Sequence, residues 1–127
     1  MTDETPREYD REYLSTVPGP ARQRTGRDTV EGEVTRFVVQ LEYSHGGAWQ
    51  PVVRYDHDGT GESEHAHDVT EEGLHIDIYR DGEKHATEYI ASVQSANTAL
   101  DRAEDHLSNN LQRFINRYEQ WHNIRDR

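Results

Sequence analysis

The chain of 127 residues has no cysteine, one lysine (Lys84), one methionine and two phenylalanines. Without cysteine, disulfides, thiolate-bound zinc and thiol catalysis are excluded. Set against thirteen arginines and 25 carboxylates, the lone lysine leaves few long apolar stems on the surface, and the net charge is -11. That balance is expected of a protein adapted to concentrated salt, as in halophilic archaea. Hydrated carboxylates repel one another in dilute buffer and tolerate one another once the Debye length shrinks to about 3 Å at 1 M salt. No run approaches the ~20 apolar residues that cross a bilayer, and no apolar signal stretch opens the chain. The expectation is a cytoplasmic protein without a membrane partner.

Reaction-naming motifs are also missing. There is no GxGxxG, P-loop or GxSxG sequence. Asp56-His57-Asp58-Gly59-Thr60-Gly61 has the look of a calcium loop, but His67 stands at the twelfth place, where a glutamate closes an EF-hand.

Leu, Ile, Val and Phe number 22, a lean supply for so charged a chain. Only Leu14, Val17 and Val30 precede residue 34. This uneven spread predicts a flexible polar N-terminal arm over 1–33, broken at Pro18-Gly19-Pro20, and a single α+β domain over 34–127. The arm carries Arg22, Arg24 and Arg27 with no acid between them, so it reads either as a leader or as a segment that orders on a partner.

From Val34 to Ile90 the pattern predicts a four-stranded antiparallel meander. Phe37, Val39, Leu41 and Tyr43 alternate on one face of the first strand, and Ser44-His45-Gly46-Gly47 supplies a turn. The second strand reads with Trp49, Pro51, Val53 and Tyr55 on one side and Val52, Arg54 and Asp56 on the other. Residues 56–73 form an acidic excursion with no lysine or arginine. In the third strand Leu74, Ile76 and Ile78 face inward while His75, Asp77 and Tyr79 face outward, and Asp81-Gly82 turns the chain into the fourth. Leu100, Leu107, Leu111, Phe114, Tyr118 and Trp121 then mark one long C-terminal helix, with Ser108-Asn109-Asn110 the place for any bend. Its aromatic end is the candidate homodimer contact.

Strand alternation brings Arg54, Asp56, His75 and Asp77 to one face of the sheet. An arginine fork holds phosphate, and a histidine held by an aspartate serves as general acid or base. Such a set suits RNA cleavage or another phosphoester reaction, although a wet sheet face carries such residues for structural reasons too. His65 and His67 point to one side of an extended segment, close to Asp56, Asp58, Asp68 and His75. They are the candidate ligands for a transition metal, although no cofactor is required by the sequence.

Trp49-x-Pro51-Val52-Val53-Arg54-Tyr55-Asp56, His75-x-Asp77, Asp81-Gly82-x-Lys84 and Ala99-Leu100-x-x-Ala103-Glu104 together resemble a small bacterial and archaeal family of unknown function that is compared with TumE-type toxins. The resemblance covers roughly residues 35–121 and implies a toxin-like component of a two-gene toxin–antitoxin system acting on RNA, with a cognate protein partner. The family joins its RYD and HxD elements through a close His-Gly; here the acidic segment around His65 and His67 expands that junction. The alternative is a non-enzymatic protein-interaction module that works through the aromatic helix end or the arm.

Overall fold

A computed structural model describes residues 8–61 and 67–124. The strands are β1 (Arg11–Val17), β2 (Ala21–Val30), β3 (Glu33–His45), β4 (Ala48–Asp58), β5 (Leu74–Arg80) and β6 (Glu83–Ala91), with α1 (Val69–Glu72) between β4 and β5 and α2 (Ala96–Trp121) last. The strands form one antiparallel sheet in chain order. The α+β expectation stands, with the helix packed on the sheet, but the sheet has six strands where four were expected.

The two additional strands come from the segment read as a flexible arm. Pro18-Gly19-Pro20 is the turn between them, with Gly19 at φ 81. Their hydrogen-bonded ladder and polar cross-strand pairs replace the apolar alternation that the segment lacks. Arg22 Nε donates to Glu42 Oε1 at 2.7 Å, and Arg24 Nη1 donates to Glu12 Oε1 at 3.0 Å. Thr25 and Ala21 are buried beside Val39 and Tyr43 of β3.

One face of the sheet carries the core. Phe37, Val39, Leu41 and Tyr43 of β3, Val53 and Tyr55 of β4, and Leu74, Ile76 and Ile78 of β5 are buried with Ala99, Leu100, Ala103, Leu107, Phe114, Ile115 and Tyr118 of α2. Ser95 caps α2 by accepting from Thr98 N at 3.1 Å. The helix runs unbroken through Ser108–Asn110, where Asn110 Nδ2 donates to His106 O at 2.8 Å. Asn97 ties its first turn to the β2–β3 corner, accepting from Val34 N at 2.9 Å and donating to Gly32 O at 3.1 Å.

Two face assignments in β4 change. Leu41 pairs with Val53 but Glu42 pairs with Pro51, so Val52 is the extra residue of a bulge. Val52 joins the core, and Trp49 turns to the opposite face, 43% exposed, with the Arg22 guanidinium 4.0 Å from its ring centroid. No helix among the described residues is long and apolar enough to cross a membrane.

Candidate functional site

The face opposite α2 is mostly polar, with the buried Val38 and the exposed Leu14 among its charged and amide side chains. Arg54 and Asp77 are direct cross-strand partners, and Asp77 pairs in turn with Thr87 of β6. Arg54 Nε donates to Asp56 Oδ2 at 2.9 Å and its Nη1 to Gln40 Oε1 at 3.3 Å. Burial works against the charged guanidinium, but the hydrogen bond and charge of Asp56 outweigh it and raise the Arg54 pKa. Gln40 Nε2 continues the chain to Glu42 Oε2 at 2.6 Å, and Glu42 reaches Arg22.

The N-terminal segment lies over this face. Glu12 Oε2 accepts from Glu8 N at 2.8 Å and Tyr9 N at 3.1 Å, which brings the Tyr9 ring, only 6% exposed, onto Gly26. A Cβ on Gly26 would stand 2.7 Å from Tyr9 Cδ2, so glycine is required by that close approach. The Arg36 guanidinium lies over the ring, 4.4 Å from its centroid, and its Nη2 donates to Glu8 O at 2.7 Å. Nothing in the sequence pattern singles out Tyr9.

Beside Arg54 a cleft of about 420 Å³ opens, lined by Asp56, His67, Glu72, His75, Asp77, Tyr79, Lys84 and Thr87. Three of the four residues expected on this face line it, and Arg54 is hydrogen-bonded to one of them. Their pairing differs from the expectation. Asp77 does not hold His75: it accepts from Thr87 Oγ1 at 2.8 Å and faces Lys84 Nζ at 3.4 Å.

His75 instead meets His67. His75 Nδ1 lies 3.3 Å from His67 Nε2, and both nitrogens approach the Gly73 carbonyl oxygen, at 3.1 and 3.0 Å. A single N–H directed at that oxygen satisfies it and leaves the other ring nitrogen with its lone pair. The far nitrogen of His67, Nδ1, faces Glu72 Oε1 at 3.4 Å. The Tyr89 ring stands edge-on to His75, with centroids 5.5 Å apart.

Local structure builds this triad of atoms. Asp68 caps α1, accepting from Thr70 N at 2.9 Å and Thr70 Oγ1 at 2.6 Å, and these bonds hold its carboxyl below the usual range. Val69 N donates to the buried His57 Nδ1 at 3.1 Å, and Asp58 N donates to His67 O at 2.8 Å, so β4 grips both ends of the α1 approach. Gly73 ends α1 at φ 86, where a Cβ would fall 2.6 Å from Tyr89 Cε1. Only glycine turns the carbonyl between the two rings there.

His65 lies outside the described residues. No three His, Asp or Glu side chains among the described residues converge into a metal-holding group on side chains alone. At the helix end, Phe114 and Tyr118 are buried within the chain's own core. Trp121 is half-buried, with Arg80 and Arg117 at 4.9 and 5.1 Å from its ring.

The fold and face define a single-sheet α+β domain with a polar cleft on the sheet surface left free by the helix. The chain belongs to the family described as a domain of unknown function, DUF7718, whose model matches residues 3–124. No curated protein and no solved structure matches it.

Proposed function

We propose that the cleft is an acid–base site for a phosphoester, and that the chain is a toxin-like component of a two-gene toxin–antitoxin system acting on RNA. One observation carries the reading: Arg54 and Asp56 of β4 and His75 and Asp77 of β5 gather on one face around a cleft that His67 and Lys84 also line. With its proton on Nδ1, toward the Gly73 carbonyl, His75 keeps the lone pair on Nε2 that a general base needs. His75 Nε2 takes the proton of a 2′-hydroxyl, O2′ attacks phosphorus as the bond to the 5′-oxygen breaks, and that oxygen takes up a proton from solvent, to which His75 returns its own, giving a 2′,3′-cyclic phosphate and a 5′-hydroxyl.

Three carboxylates line the cleft against one ammonium, so phosphate must compete with Asp77 for Lys84. That ion pair is half-exposed and worth at most about 1 kcal/mol, so exchange is inexpensive. The test is incubation of the purified chain with defined RNA in molar KCl, with end-group analysis of products. Cleavage to cyclic phosphate ends, lost at least tenfold in His75→Ala and Lys84→Ala with circular dichroism unchanged, supports the reading. Intact RNA would overturn it.

A second reading, a protein-interaction module, is favoured by Tyr13, Leu14 and Val30, which are exposed large apolar side chains on β1 and at the end of β2. Self-association or a cognate partner would use that edge, and light scattering of the purified chain and of Leu14→Asp reads the self-association.

A further inference from the structure

We propose that His67 Nε2, His75 Nδ1 and the Gly73 carbonyl oxygen form the protein side of a binding site for a divalent transition metal ion, of the zinc, cobalt or nickel class. The three donor atoms make a triangle with edges of 3.0, 3.1 and 3.3 Å. Imidazole nitrogens bind such ions at about 2.0–2.1 Å; two ligands at that length lie about 3.3 Å apart at a tetrahedral angle and about 2.9 Å apart at a right angle. The triangle therefore has the dimensions of one face of a coordination polyhedron, with the remaining positions left to water.

Glu72 supplies an independent argument. Its Oε1 faces the Nδ1 of His67, the nitrogen away from the triangle. With one N–H donated to Gly73 O by His75, the His67 proton sits on Nδ1 beside that carboxylate and Nε2 keeps the lone pair that a metal needs. This is the carboxylate–histidine–metal arrangement that orients ligating imidazoles.

The donors are held before any ion arrives. Gly73 is fixed by its positive φ and by donating to Val69 O at 2.9 Å, His67 by Asp58 N at its carbonyl, and His75 by the β5–β6 ladder. Two neutral imidazoles and a carbonyl select transition metals over magnesium or calcium. Asp56, Glu72 and Asp77 supply the negative field that a dication needs in this cleft. The inference goes beyond the phosphoester reading and does not rest on it: an ion on His75 Nδ1 moves that ring's proton to Nε2 and silences it as a base, and ion binding and RNA cleavage are measured separately.

The test is calorimetric titration of the full chain with zinc, cobalt and nickel chlorides near neutral pH in molar KCl, with magnesium chloride as control. One saturable site is expected for the transition metals and none for magnesium. His67→Asn and His75→Asn should each weaken binding at least tenfold, Glu72→Gln about tenfold, and His45→Asn not at all. Should a variant fail to fold, imidazole nitrogen NMR of the unsubstituted chain decides: substoichiometric zinc must shift the His67 and His75 rings first. No saturable binding, binding retained in His75→Asn, or first shifts at other histidines would overturn the proposal.

Discussion

Tyr55 Oη lies 2.8 Å from His106 Nδ1, joining the fully buried middle of β4 to the middle of α2. Burial pushes the Tyr55 phenol up, so it stays the donor, and the imidazole must accept with a lone pair. Burial, with Arg113 adding to it, lowers the His106 pKa. His57, acceptor for Val69 N, is lowered by burial against the opposing pull of Asp68.

Both histidines are therefore needed neutral, and the sign of the pH effect follows. Their folded-state pKa values lie below the unfolded value of about 6.5, so their stabilisation is complete above that value. As the pH falls through it, the unfolded chain takes up protons that the folded chain refuses. The melting midpoint should drop between about pH 6.5 and 5, and Tyr55→Phe, which strips His106 of its donor, should cost about 1–3 kcal/mol at neutral pH. A flat midpoint over that range would contradict the assignment.

Gly26→Ala should destabilise the chain by about 1–3 kcal/mol, because the new methyl overlaps the Tyr9 ring. Adding Tyr9→Ala should remove the clash, so that alanine at position 26 costs much less in that background. Additive costs in the double-mutant cycle would mean that Tyr9 does not dock there.

Deleting residues 1–30 should lower the melting midpoint by many degrees. The deletion removes β1 and β2, strips Glu42 of Arg22, and opens the long β3 edge to pairing with other chains. An unchanged midpoint in the truncated chain, measured by circular dichroism, would show that the first two strands contribute no stability.

Stability should rise with salt. A net charge of -11 is repulsive at low ionic strength and is screened as the Debye length falls from about 10 Å at 0.1 M to about 3 Å at 1 M. A thermal scan across a KCl series from dilute to molar reads this directly, and equal midpoints at both ends would refute the salt-adapted reading of the composition.

Most of the apolar core was legible in the sequence, and the polar strands β1 and β2 were not. Alternation of Phe37, Val39, Leu41 and Tyr43, and the stripe from Leu100 to Tyr118, announce surfaces that must be buried, and both are. β1 and β2 carry no readable apolar pattern, because Gln23, Thr25 and Arg27 occupy helix-side positions of β2 and the strands are tied by arginine–glutamate pairs formed only after they meet. The Pro18-Gly19-Pro20 turn between two segments of strand length was the available signal. At the site, period-two alternation was enough to bring Arg54, Asp56, His75 and Asp77 to one face. It could not show that His75 turns to His67, since that contact depends on the left-handed backbone of Gly73 after a four-residue helix.

The strictly sequential order of the sheet bears on how quickly the chain finds its fold. Every strand partner is the next strand along, so each pairing closes only a hairpin or, between β4 and β5, one short excursion. Low contact order of this kind favours rapid folding for a β-rich protein. The demanding closure is the return of α2 to the sheet, where Asn97 reaches Val34 across 63 residues. Loop entropy rises only by about 0.6 kcal/mol for each doubling of length, so even this closure costs little more than closing a loop half as long.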